Sequence, residues 1–459
     1  MTFIRKIKKK SGTYLAEVES YRENGKVKQR HIRYIGKEIT GASIENSEFS
    51  DLEIEQVRQY LDYKVVHEIA IKLKIPELLG EEMHHVLLLV YAQMITRKSI
   101  NALPAYVEQT SLKELLGIDK LVSADLYESL DKLEALDFEP IEKGILSVLR
   151  AEESEKEDAL ILDVTDTYFK GKQADWKSRK GKDGKVTKLM QIALAVTKTK
   201  GFPILHKTYE GNINNIKIFE DLLSSIRLHD YSLIVLDRGL NSSATLKDLK
   251  SLEQPVITGL KLTSTLQKKF LAEIARESIY QPENKILLTK VTVFHQSFDY
   301  KDGQLIALYD PIKEASQRTK AMESEEKYDK EKAKYMGYSL LYHTTASTTK
   351  EVVKMYFEKD IVEKAYRDIK SVINLNPVRK YRIDRIRAHV KICYLAYAIF
   401  SYINAKVKPL GISATTALEH LQGVYKVDLC LKEKDIRWSK IVTLKTIQNQ
   451  VLEALECSV

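Results

Sequence analysis

Two short aliphatic runs, each closed by an aspartate, constrain the fold of this chain more than any other feature. Leu160-Ile161-Leu162 ends on Asp163, with Asp166 three residues further on, and Leu233-Ile234-Val235-Leu236 ends on Asp237. Short apolar, β-branched runs bounded by turn signals read as strands buried on both faces. A carboxylate cannot share that burial unpaired, so it belongs where a strand leaves the sheet and meets solvent and ligands. An aspartate after a strand is also a common turn or capping residue, and the residues alone leave Asp163 and Asp166 both open. Between the two runs, "KLMQIALAVTKTKGFPILHKTYEG" supplies two more strand-like stretches around a Gly-Phe-Pro turn, and "NNIKIFEDLLSSIRL" a helix. Strands alternating with helices predict an α/β class.

A second constraint lies in "YFEKDIVEKAYRDIK", residues 356–370. At about 100° per residue, Tyr356, Lys359, Glu363 and Lys370 fall within about 60° of one another, with Arg367 about 20° from Tyr356. Ile361, Val362, Ala365, Ile369 and Val372 take the opposite half. Such a helix has a core face and a mixed-charge face, which by itself needs to be no more than a solvated surface. Thr348 with Glu351 forms a capping box at its start.

The whole chain has 459 residues, 44% of them hydrophobic, enough for two or three domains. Its net charge of +9 permits a polyanionic partner. Residues 1–37 hold eleven Lys/Arg against three Glu, a local +8. There "TYLAEVESY" and "KVKQRHIRYIG" read as strands joined at Glu23-Asn24-Gly25, a hairpin turn signal. Lysines also guard strand edges against aggregation, so both a DNA-contacting module and a solvated edge fit. The longest apolar run near the C-terminus, "ICYLAYAIFSYI", is too short to span a bilayer, no secretory signal is apparent, and a cytoplasmic location is expected. Cys393, Cys430 and Cys457 show no metal-ligand spacing and read as reduced structural thiols. Trp176 and His389 read as packing residues, outside any site.

"LDVTDTYF", "YEGNINNIKIFEDLL", "LIVLDRGLNSSATL" and "YFEKDIVEKAYRDIKSVINLNPVRKYRIDRIRAHVKICYLA" together resemble bacterial insertion-sequence transposases of the DDE class, in the branch with a Tyr-Arg-Glu-Lys signature spaced Tyr-x2-Arg-x3-Glu-x6-Lys. The N-terminal "FIRKIKKKSGTYLAEVESYRENGKVKQRHIRYIGK" resembles the start of such proteins. Tyr356, Lys359, Glu363 and Lys370 match the signature position by position, with Lys359 replacing the arginine and losing its bidentate fork. The resemblance selects Asp163 over Asp166 and implies Asp163, Asp237 and Glu363 as catalytic metal ligands. It implies two Mg²⁺ ions, with Mn²⁺ able to substitute, and Tyr356, Lys359, Arg367 and Lys370 as DNA contacts. The implied partners are double-stranded DNA, as the element's terminal inverted repeats and its target, and a second copy of the chain in the synaptic complex. There is no membrane partner, and the location would be nucleoid-associated.

The implied fold is a ribonuclease H-like catalytic core with a β-rich insertion, plus an N-terminal basic β-hairpin module and a helical subdomain. The expected boundaries are 1–50 for the hairpin module and 51–150 for the helical subdomain. The core would take 151–265 and 336–408, the insertion 266–335, and a C-terminal helical region 409–459. The expected activity is cleavage of the element's ends and their joining to target DNA. A DDE-type nuclease without strand transfer, or a transposase-derived DNA-binding protein, shares much of this pattern; the presence of all three acids disfavours the latter.

Overall fold

The computed structural model describes residues 2–9, 12–23, 26–37, 52–80, 83–151, 159–168, 178–180, 186–211, 213–226, 231–237, 253–272, 274, 276–289, 291–323, 329–372, 382–432 and 436–459. The expected turn at Asn24-Gly25, residues 38–51, Trp176 and the segment after Asp237 lie outside them. The chain divides into two units, one of Met1–Tyr60 with Gly423–Leu444 and the other of Leu61–Gln422 with Lys445–Val459.

The first unit holds two three-stranded antiparallel sheets. The hairpin strands β2 (Gly12–Glu23) and β3 (Lys26–Lys37) pair out to Glu23 and Lys26, but a further strand, β1 (Thr2–Lys9), pairs along β2. The expected hairpin is therefore a three-stranded sheet, the extra strand hidden in the sequence by its run of lysines. The second sheet joins β4 (Leu52–Gln59) to β15 (Tyr425–Leu431) and β16 (Ile436–Ile441). This corrects two expectations, since the region from 51 opens with a strand and the region 409–459 is not wholly helical. Pairing partners so distant in sequence leave no local signal.

The second unit is built on one mixed sheet. Its central strands run in the order β8 (Pro203–Glu210), β7 (Val186–Thr197), β5 (Ala159–Tyr168), β9 (Leu233–Leu236) and β10 (Val256–Leu260). β5 pairs antiparallel to β7 and parallel to β9, and β9 pairs parallel to β10. A short strand, β6 (Ser178–Lys180), extends β7. The turn from β7 to β8 needs Gly201, at φ +70°. Beyond β10 the sheet continues antiparallel through β14 (Tyr338–His343), β13 (Gly303–Tyr309), β12 (Thr292–Tyr300) and β11 (Lys285–Leu287). The expected insertion over 266–335 thus adds its strands to the core sheet and also contributes the helix Pro311–Glu323.

Helices cover both faces. The all-helical segment opens with α1 (Leu61–Lys72), α2 (His84–Ile95) and α3 (Ser123–Ala135), whose buried Val and Leu side chains pack together and on α8 (Ile383–Val407). On one face of the central strands Leu160, Leu162 and Val164 of β5, with Ile234 and Leu236 of β9, bury against Ile218, Phe219 and Leu222 of α5 (Asn215–Ser224). On α4 (Glu139–Ala151), Glu142 is buried and accepts hydrogen bonds from the backbone amide of His206 (2.8 Å) and contacts its Nδ1 (2.6 Å), with Tyr394 stacked on the imidazole. Burial pushes the Glu142 carboxyl above its usual range, against the pull of His206.

Candidate active site

Strand alternation decides where each acid points. Leu160, Leu162 and Val164 fill the core under α5, so Ile161, Asp163 and Thr165 belong to the other face, and Asp166 falls back on the first. In β9 the same alternation sets Ile234 and Leu236 in the core and carries Val235 to the face of Asp163, with Asp237 following directly on the strand's end. Parallel pairing of Leu162 with Leu236 makes Asp163 and Asp237 the next residues on neighbouring strands, which are about 4.8 Å apart. Two aspartates therefore follow neighbouring register positions where β9 ends.

The glutamate segment lies on that face. It consists of α6 (Thr349–Phe357), α7 (Asp360–Arg367) and a wide π-helical turn at Asp368–Val372. The uninterrupted helix assumed for residues 356–370 is corrected here: between α6 and α7 the bonds tighten to the third residue back, as in Lys359 N to Tyr356 O at 3.3 Å and Val362 N to Lys359 O at 3.0 Å. No Gly or Pro marks the change. The tight turn advances the chain's phase and the π turn retards it, so the wheel angles hold only within α7. There Glu363 and Arg367 follow at i, i+4 spacing, and Lys359 is the N-cap residue before them. The capping box of Thr348 and Glu351 forms as expected. Val362, Ala365 and Ile369 are buried, the Val and Ile contributing about 1.5–3 kcal/mol each.

Contacts reach from this segment to the two strands. Lys359, about one-fifth exposed, closes its ammonium on the Asp237 carboxylate and lies 4.7 Å from the Tyr356 ring centre and 3.4 Å from its hydroxyl. Burial works against the charged lysine, but Tyr356 and Asp237 outweigh it and hold the ammonium above its usual range. Lys370 reaches Thr165 Oγ1 and, at 3.0 Å, the carbonyl of Asp166. The Tyr366 hydroxyl lies 2.7 Å from the carbonyl of Asp163 and 2.9 Å from that of Ile192. Glu363 and Arg367 are exposed. Among the described residues no three His, Cys, Asp or Glu side chains stand close enough to hold a metal ion. The structure thus joins Lys359 to Asp237 and Tyr356, sets Asp163 at the neighbouring register position, attaches Lys370 to β5, and leaves Glu363 exposed on α7. By donor chemistry the adjacent carboxylates fit a hard divalent cation.

Residues 154–399 match the family described as the transposase DDE domain, more than half of the chain. The chain belongs to the DDE-domain transposases. Residues 4–59 match the N-terminal domain of IS1634 family transposases. Among solved structures, the piggyBac transposase synaptic complex with hairpin DNA, determined by cryo-EM, is 12% identical, with a TM-score of 0.45 over 74% of this chain and 70% of that one. No curated protein matches the chain. Among the described residues, no helix of this transposase is long and apolar enough to cross a membrane. Sequence reasoning missed Thr165 and Tyr366. Thr165 carried a signal, since strand parity with Asp163 puts it on the same face. Tyr366 carried none, because an aromatic residue amid apolar neighbours reads as core.

Proposed function

We propose that this transposase cuts the ends of a mobile element and joins them to target DNA by phosphoryl transfer, with Asp163, Asp237 and Glu363 as its carboxylate ligands. The observation that supports this reading is the pairing of Leu162 with Leu236, which leaves Asp163 and Asp237 as the residues that follow on neighbouring strands, with the glutamate helix packed on β5. The strand order β8-β7-β5-β9-β10, with only β7 reversed, supports a ribonuclease H-like core. Two divalent ions, Mg²⁺ or Mn²⁺, held by these acids would stabilise both the attacking and the leaving oxygen of an in-line displacement. Lys359 balances the charge of Asp237 in the free chain, and a DNA phosphate is the natural competitor for that ammonium. Tyr356 holds Lys359 beside Asp237, while Arg367 on α7 and Lys370 in the π turn after it add further cations. The substrates are the element's terminal repeats and target DNA, with a second copy of the chain at the paired ends. Location at the bacterial nucleoid follows from the same reading.

The test is to incubate the purified full chain with labelled DNA carrying the element's own ends and Mg²⁺. End nicking followed by joined products is expected. Nicking without joining would favour a nuclease, and products that persist in excess chelator would overturn the metal assignment.

A further inference from the structure

Tyr366 is neither an acid nor one of the four signature residues, yet it makes the direct contact between the glutamate helix and the strand of the first aspartate. It sits on α7 one turn after Glu363, with the residue 5% exposed. Its hydroxyl spans two strands, 2.7 Å from the Asp163 carbonyl on β5 and 2.9 Å from the Ile192 carbonyl on β7. A phenol has one proton, so it donates to either carbonyl in turn. Lys370 makes a second attachment four residues on, to Thr165 Oγ1 and the Asp166 carbonyl on the same strand.

Apolar packing by Val362, Ala365 and Ile369 holds α7 down but is non-directional. A hydrogen bond to a main-chain carbonyl is directional and weakens steeply off its axis. We propose that the Tyr366 hydroxyl is a positioning group, fixing the rotation and rise of α7 on β5 and thereby the distance from Glu363 to Asp163. The inference rests on the assignment of those two acids as metal ligands. Groups that orient ligands in this way typically change metal affinity or activity 10–100-fold.

Tyr366→Phe keeps the ring and removes the donor. In the full-length chain, titrated with Mn²⁺ alone and followed by electron paramagnetic resonance, the variant is expected to bind Mn²⁺ about tenfold more weakly. Its kcat for end cleavage should fall by a similar factor, with KM and Kd for the DNA unchanged. A lowered Tm with wild-type Mn²⁺ affinity and kcat would mean a packing role only and would overturn the proposal. Glu363→Gln, run in parallel, separates the two levels. If it binds Mn²⁺ like the wild type, the ligand assignment fails and takes the inference with it. If it loses Mn²⁺ while Tyr366→Phe does not, the hydroxyl alone is rejected. Should Tyr366→Phe fail to fold, Thr165→Val removes the Lys370 acceptor on the same strand and carries the test: weakened Mn²⁺ binding with intact DNA affinity supports the positioning of α7, and wild-type Mn²⁺ affinity overturns it.

Discussion

On the N-terminal sheet Arg30 and Arg33 pair with Glu19 and Glu17 at 2.7 and 2.9 Å while remaining 70% and 65% exposed. On the glutamate segment Lys359 is 19% exposed and closed on Asp237 against the ring of Tyr356. Exposed pairs gain little from each other, because water and salt screen them. Such arginines contribute mainly to the summed positive charge of residues 1–37. A half-buried ammonium on a strand-end carboxylate is different, since its partner and position are fixed and its removal leaves a charge uncompensated. Charge on the sheet therefore works by amount, and charge at the core edge works by place.

The sharpest way to break this comparison is at the ridge of α7. Glu363→Gln is expected to lower cleavage and joining about a thousandfold, or about 4 kcal/mol of transition-state stabilisation, with DNA affinity nearly unchanged in a filter-binding assay. Asp360→Asn should retain measurable catalysis, and equal loss in both would show that the signature register is misplaced. A buried pair should be the next most sensitive. His206→Ala strands the Glu142 carboxylate in the core, and thermal melts should register a loss of about 3–5 kcal/mol.

Deletion of residues 1–37 removes the whole β1-β2-β3 sheet, which pairs with no other strand among the described residues. It also removes eleven Lys/Arg and three Glu, a local +8. DNA affinity should fall and its dependence on salt should become shallower; an unchanged salt slope would remove the sheet from the DNA interface. The smallest effect is expected from Arg30→Ala, at most about 0.5 kcal/mol in stability. A larger loss would mean that place matters on the sheet too.

Within the site, legibility followed the range of the interaction. Asp163 and Asp237 stood out because a charged residue closing an apolar run is visible in a few residues. The choice between Asp163 and Asp166 rested on resemblance; β5 adds that the two point to opposite faces, Asp166 to the one that carries Val164. The tight turn at Glu358-Lys359 went unseen because no Gly or Pro announces it. β1 was masked by its lysines, and the pairing of β4 with β15 joins segments from opposite ends of the chain.

By itself the sequence determined the α/β alternation, the two buried apolar runs each followed by an aspartate, the basic N-terminus and the spacing of Tyr356, Lys359, Glu363 and Lys370. These are local properties, set by side-chain period and by the cost of burying charge. The same local reading placed Asp163 at a strand end, whereas β5 runs on to Tyr168. Only the tertiary structure decided that Lys359 meets Asp237, that Lys370 and Tyr366 attach to β5, and that the strands from 285–309 extend the core sheet. Each depends on strand order and on the phase of a helix that changes twice within twenty residues. Such contacts arise between segments far apart in the chain, where no residue's neighbours in sequence record which partner it will find.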